Sequence, residues 1–344
     1  MTTAIPQTMR ASVLNPDLSI TLEERPVPIL LDDEVLVQVG AVGICGSDVH
    51  YWKEGRIGDF IVRQPMILGH EVGGTVVAVG RDVSSSRVGQ RVGIEPQRAC
   101  RICPQCKAGR YNLCPSMEFY ATPPIDGAFC EYVKIQDDFA HLIPTSVTDE
   151  AAALLEPLSV GITTMRKAGV VPGSRVLIAG AGPIGIIAAQ TARAFGASDV
   201  IVSDPVAARR DLALGFGATS VFDPLADDIL QAGFEVDAFV DASGVAAAVV
   251  GGIRNVRASG RVVLVGMGAD EVSLPIPVIQ NKELIVTGIF RYTDTWPVAT
   301  HLVASKQVDL DSLVTSRFGL ADAAKALEAA TDPDSLKVAV FPGR

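Results

Sequence analysis

Four cysteines fall in one short segment, spaced Cys100-x2-Cys103-x2-Cys106-x7-Cys114. Two-residue gaps let successive thiolates turn toward one point, and four thiolates close a tetrahedral shell. That describes a structural Zn²⁺, since a closed shell leaves no position for water or substrate. An iron–sulfur cluster is the rival, because closely spaced cysteines also hold those. Cys45 stands apart, in Gly43-Ile44-Cys45-Gly46-Ser47-Asp48, with His50 after it and Gly69-His70-Glu71 downstream. One thiolate, one imidazole and one carboxylate would hold a second zinc and keep its fourth place free. Glu71 and Glu156 are the candidate carboxylates. Glu156 lies in an otherwise apolar run, 151–160, where a charge is costly unless paired or near a metal. Cys130 reads as packing, and His141 and His301 as structural or surface residues.

A third constellation is Gly180-Ala181-Gly182-Pro183-Ile184-Gly185, which fits G-x-G-x-x-G. In a chain rich in Ala and Gly this is weak by itself, but an apolar run, Val176 to Ala179, precedes it and a helical stretch, Ile186 to Phe195, follows. The first glycine permits the tight turn, the second admits a pyrophosphate, and the third allows close helix–strand packing. Asp204 ends the next apolar run, where its carboxylate can accept hydrogen bonds from ribose hydroxyls and repel a 2′-phosphate. That favours NAD over NADP, although Arg209 and Arg210 lie close enough to accommodate such a phosphate. The bland alternative is a glycine-rich turn with no ligand.

These residues need elements to hold them. The first 150 or so residues read as β-rich, with runs such as Glu34–Val39 and Gly74–Val79 between Gly, Pro and Asp clusters. From Arg175 onward short apolar strands alternate with Ala-rich helical stretches, over Arg175–Ala179, Val200–Ser203, Thr219–Phe222, Ala238–Asp241, Arg261–Val265 and Leu284–Gly288. Such alternation indicates a parallel α/β sheet. A Trp296-Pro297 turn and a helix over Leu320–Ala330 follow, in a stretch too short for a third domain.

With 344 residues, about two domains are expected, and 48% hydrophobic residues supply a sizeable core. Twenty-nine basic against 39 acidic residues give a net charge of −10, which argues against a phosphate-backbone binder and for small-molecule chemistry. A four-cysteine module for nucleic acid conflicts with that balance. The uncharged stretch 176–192 is punctuated by glycine and proline, so no membrane span is read there. A cytoplasmic, reducing location is the expectation, where free cysteines serve metals or catalysis.

The spacing Gly69-His70-Glu71-x2-Gly74-x5-Gly80-x2-Val83 resembles the zinc signature of the medium-chain, zinc-dependent alcohol dehydrogenases. The Cys45 loop, the four-cysteine lobe and the nucleotide motif follow in that family's order, over essentially the whole chain. The segments 51–60, Glu156-Pro157-Leu158 and 290–297 are similar to those of its polyol (sorbitol and xylitol) branch. Simpler alcohol dehydrogenases carry a third ligand cysteine where this chain has Glu156.

The resemblance implies a β-rich GroES-like catalytic domain over residues 1–158 and 293–344, and a Rossmann NAD-binding domain, a doubly wound parallel sheet, over 159–292. It implies that Cys45, His70 and Glu71 hold a catalytic zinc, that Glu156 contacts the zinc or a water beside it, and that all four lobe cysteines hold a structural one. Tyr51, Glu156, Arg291 and Tyr292 would meet polyol hydroxyls. Gly180, Gly182, Ile184, Gly185, Asp204, Arg209, Val265, Gly266, Met267, Ile289, Phe290 and Arg291 would line the NAD site. The implied reaction is reversible oxidation of a sugar alcohol to a ketose, with zinc as Lewis acid and hydride passed to NAD. Ser47 and His50 could then pass the proton to solvent. A homotetramer or dimer is implied. The alternatives are a dehydrogenase of another alcohol, such as threonine, and a non-catalytic nucleotide-binding protein on the same fold.

Overall fold

The computed structural model describes residues 5–227 and 235–344. Contacts divide the chain into two units, Met1–Glu156 with Leu310–Arg344, and Pro157–Asp309. Residues 293–309, placed above with the first unit, fall in the second.

The first unit is built around Glu34–Gly43, a ten-residue strand with only Gln38 turned out to solvent. Alternating valines line its buried face, and β-branched side chains suit a packed pleat. It pairs antiparallel with Glu71–Val79, Tyr132–Gln136 and the C-terminal strand Lys337–Phe341. Arg91–Ile94 and Ala140–Leu142 extend the sheet on one side, and Val314–Gly319 on the other. Val37, Val42, Val72, Val76 and Val92, all fully buried, form its core with Leu68 and Phe129. Each such valine contributes ~1.5–3 kcal/mol. Leu320, Ala323, Ala326 and Leu327 join the same core, so the end of the chain completes a domain begun 300 residues earlier. The helix expected over Leu320–Ala330 is a 3-10 turn, Leu320–Asp322, running into a helix over Ala323–Ala329.

The second unit holds a six-stranded parallel sheet in the order Ser220–Phe222, Asp199–Ser203, Arg175–Ala179, Val236–Asp241, Val256–Leu264, Ile285–Gly288. That is the doubly wound order of a dinucleotide-binding sheet. Val176, Val200, Val236 and Val262 are wholly buried, as parallel strands covered on both faces require. Five of the six strands start or end a little earlier or later than the apolar pattern alone marks them. The Trp296-Pro297 dipeptide is not a turn: it opens the helix Trp296–Ala304. Proline fits there because the first N–H groups of a helix need no intrahelical acceptor.

Candidate active site

Cys45 comes two residues after Glu34–Gly43 and caps the helix Gly46–Glu54. His70 precedes, and Glu71 begins, the neighbouring strand, with Glu71 directly opposite Gly43. Pairing of those two strands therefore brings the cysteine loop beside the His-Glu pair. One ligand atom each from Cys45, His70 and Glu71 lie within 4.8 Å of one another. The wholly buried Asp48 carboxylate ties the loops together. It accepts from Cys45 N and from Gly69 N, each at 2.9 Å, and stands 3.9 Å from His70 Nδ1.

Glu71 is buried, with one oxygen on Lys337 Nζ at 2.5 Å and the other, Oε2, without a hydrogen-bond partner. A buried carboxylate oxygen left so is costly, and a cation beside it would satisfy it. Thiolate, imidazole and carboxylate together are a zinc donor set with a place to spare. The residues fit the metal.

Burial pulls the His70 pKa down, but Cys45, Asp48 and Glu156 together outweigh that and raise it to about 10. The sign follows from linkage. A folded value above the ordinary 6.5 adds stability that is fully present below pH 6.5 and is lost as pH rises toward about 10. A zinc ligand must be the neutral imidazole, so metal displaces that proton. Chelator-stripped protein is therefore expected to melt progressively lower between pH 7 and pH 10, and zinc-loaded protein to show a flatter profile. Thermal melts across that range, with His70→Gln as the variant lacking the fall, check this.

Glu156 is also buried, near the start of the helix Leu155–Ala168, and its charge reaches His70. Ser47 is half-buried and His50 exposed, its Nδ1 3.3 Å from Glu54 one turn along the helix. Tyr51 is 4% exposed and packs in the first unit's core. Tyr292 is fully buried, its ring 5.1 Å from Trp296, so in this conformation it presents no open face.

The second metal centre sits in the lobe after Arg91–Ile94. The four sulfurs of Cys100, Cys103, Cys106 and Cys114 lie within 4.8 Å of one another. Backbone N–H groups point inward: Cys106 N donates to Cys103 Sγ and Cys100 N to Cys114 Sγ, both at 3.4 Å. N–H groups of Ile102 and then Cys103 lower the Cys100 thiol to about 6, and burial and then Cys103 raise Cys106 to about 12. Four thiols so arranged fit a closed tetrahedral zinc site. Glu95, 2% exposed, anchors the lobe to the sheet. It accepts from Tyr111 Oη and Gln97 Nε2, both at 2.8 Å, and lies 2.9 Å from His141 Nε2. His141 is thus structural. Glu95→Leu takes a buried acceptor away from three polar groups, and is expected to cost ~3 kcal/mol and to loosen the lobe's zinc. A lower melting temperature with zinc lost to mild chelator checks this.

In the second unit the parallel register aligns Ala179, Ser203, Asp241, Leu264 and Gly288 at one edge. Every residue of the expected nucleotide set follows one of these strand ends, where open α/β sheets bind ligands. Gly180 turns the chain at φ +97°, a conformation glycine alone adopts freely. The helix Pro183–Ala194 starts at once, with Gly182 as its cap, and a Cβ built at Gly182 would meet nothing within 4 Å. The face of the turn is open and the helix's first N–H groups are there for an anion. Asp204 accepts from Ala181 N and Val206 N, each at 2.8 Å, so it also ties the glycine turn to its own strand. Arg209 is half-buried, and Arg210 instead binds the Asp204 carbonyl and Asp223. Val265 N and Gly266 N donate to the Asp241 carbonyl at 2.9 Å, while Met267 and Phe290 are more than half exposed. Ile289 lies beside them, and the Arg291 guanidinium covers the Phe290 ring at 4.8 Å. A dinucleotide fits this edge.

Residues 31–145 match the family model of the alcohol dehydrogenase GroES-like domain, and residues 183–305 that of the zinc-binding dehydrogenases. The sorbitol dehydrogenase of Bacillus subtilis is 42% identical over 353 aligned positions, covering 100% of both chains. The chain belongs to the medium-chain, zinc-dependent alcohol dehydrogenases. Human sorbitol dehydrogenase is 44% identical over 90% of this chain and 89% of its own. Among solved structures, L-idonate 5-dehydrogenase of Escherichia coli superposes with a TM-score of 0.92 at 30% identity, over 97% of this chain and 98% of that one. Membership makes the protein a zinc-dependent oxidoreductase acting on CH–OH donors, of GroES-like and Rossmann-like domains. No described helix is long and apolar enough to cross a membrane.

Three residues of the site escaped the motif reading: Lys337, Gly43 as the neighbour of Glu71, and Asp48. Lys337 had a signal. It opens the apolar run Lys337–Phe341, a charge as out of place as Glu156 in 151–160.

Proposed function

We propose that this protein oxidises a sugar alcohol of the sorbitol or xylitol kind to its ketose, reversibly, with NAD as acceptor. The observation that carries it is the Cys45, His70, Glu71 donor set, three ligands with one place to spare, in a chain 42% identical to a sorbitol dehydrogenase along its full length. When bound, zinc polarises a substrate oxygen and NAD accepts hydride. The residues supply the rest. Asp48 fixes the cysteine and histidine loops before any ligand arrives, so little reorganisation is needed. Glu156, buried beside His70, holds or takes up the substrate proton, and Ser47 and His50 hand it on to solvent. Arg291 offers a fork of donors suited to hydroxyl-rich ligands.

Asp204 supports NAD over its 2′-phosphate, since a carboxylate held at this strand end by Ala181 N and Val206 N accepts from ribose hydroxyls and repels a phosphate there. The free thiols agree with a cytoplasmic setting, and a homo-oligomer is expected from the family. A panel of xylitol, sorbitol, galactitol, threonine and ethanol, with NAD and NADP, before and after chelator, tests the reading. Polyol turnover with NAD, lost on chelation and restored by Zn²⁺, is the expected result. Turnover of threonine or ethanol alone would reassign the substrate, and full activity after zinc removal would end the mechanism.

A further inference from the structure

Lys337 opens the last strand of the chain, and its side chain is 4% exposed. A lysine almost never goes so deep unless its charge is paired. Its Nζ donates to Glu71 Oε1 at 2.5 Å and to the Ile44 carbonyl at 2.7 Å. The first contact joins residues 266 apart in sequence, and the second reaches the residue before Cys45. The far side of Glu71 is shaped as well. Gly43 faces Glu71 across the strand pair, and a Cβ added there would overlap Oε2. So one carboxylate oxygen is committed to an ammonium, and the other sits bare where only a glycine leaves room.

We propose that Lys337 is a positioning residue of the metal centre: it commits Glu71 Oε1, so that the carboxylate offers the metal Oε2 alone. An untethered carboxylate can place both oxygens on one cation, as carboxylates often do. The second oxygen would take the place that a catalytic zinc keeps for substrate. By gripping the Ile44 carbonyl with the same ammonium, Lys337 also sets the height of the Cys45 loop against Glu71. The end of the chain is thus part of the metal centre, and Gly43 provides the matching space.

This rests on the reading that Cys45, His70 and Glu71 hold the catalytic zinc, and the test separates the two. Purified holoenzyme is titrated with a zinc chelator while the zinc remaining per chain and the melting temperature are followed. Wild type is expected to hold two zincs; a single zinc, in the four-cysteine lobe, would defeat the underlying reading and this proposal with it. In Lys337→Met one zinc is expected to leave at about a tenfold lower chelator concentration, as loss of a residue orienting a ligand typically gives. The lobe zinc is expected to leave as in wild type, and Lys337→Arg, which keeps a cation at Glu71, to recover most of the retention. A Lys337→Met titration superimposed on that of two-zinc wild type overturns this proposal alone. So does parallel loosening of both zincs with a lower melting temperature, the mark of a merely structural lysine. Should Lys337→Met not fold, Lys337→Gln, whose shorter, uncharged side chain gives up the ammonium's hold on Oε1, decides in the same titration by the same criteria.

Discussion

Cys45→Ala is expected to lower kcat/KM for a polyol at least about a thousandfold, ~4 kcal/mol of transition-state stabilisation. One of two zincs is expected to go with it, while the fold and the lobe zinc stay. The expectation follows from where the residue stands. Cys45 follows a strand that is already held on three sides, by Glu71–Val79, Tyr132–Gln136 and Lys337–Phe341, so alanine leaves the scaffold intact. What goes is the thiolate, the one soft anionic donor of the set. Glu71 and His70 alone are too few to fix a zinc with one open place. The same substitution removes the charge that, after burial, acts most on His70, so the alkaline fall in stability of the stripped protein should shrink. Zinc per chain, steady-state kinetics and circular dichroism measure the three parts. A variant that keeps both zincs, or turns over within tenfold of wild type, would refute Cys45 as a ligand.

Why the sequence discloses one half of this centre and not the other is a matter of distance along the chain. Cys45 and His70 sit in short glycine-rich turns whose local chemistry marks them. The four lobe cysteines and the 180–185 turn are likewise local, and the turn's flanking strand and helix form where their periodicity places them. Glu71 and Glu156 could not be ranked as ligand from the sequence, because both are lone carboxylates in apolar surroundings. The register of two strands separates them: Glu71 is set opposite Gly43, beside Cys45. Lys337 is further still from local legibility, since its partner is brought to it by closure of the whole sheet. Tyr292 lies in a motif that reads as a contact segment, and in the fold its ring packs against Trp296, sealed from solvent. The Trp296-Pro297 pair misleads because proline breaks a helix in its interior and begins one at its first turn.

The nucleotide edge allows a second large effect, on a different ligand. Asp204→Ala is expected to raise KM for NAD by ~10–100-fold and to bring NADP use up toward NAD use. Two losses combine. The carboxylate no longer meets ribose hydroxyls, which at ~1.5–3 kcal/mol per charged hydrogen bond accounts for most of the rise. It also no longer bridges Ala181 N and Val206 N, so the glycine turn is released from the next strand. The repulsion toward a 2′-phosphate disappears at the same time, while half-buried Arg209 remains nearby in sequence to receive it. Asp204→Asn separates these contributions, because an amide oxygen can still accept one of the two N–H groups but carries no charge. It should therefore hold the turn better than alanine and yet admit NADP nearly as well. Kinetics with both cofactors and a melting curve for each variant distinguish the terms. An unchanged NAD to NADP ratio in Asp204→Ala would move cofactor choice away from this strand end, and a changed ratio with an unchanged melting temperature would show that selection is electrostatic and the bridge to the glycine turn is not what sets it.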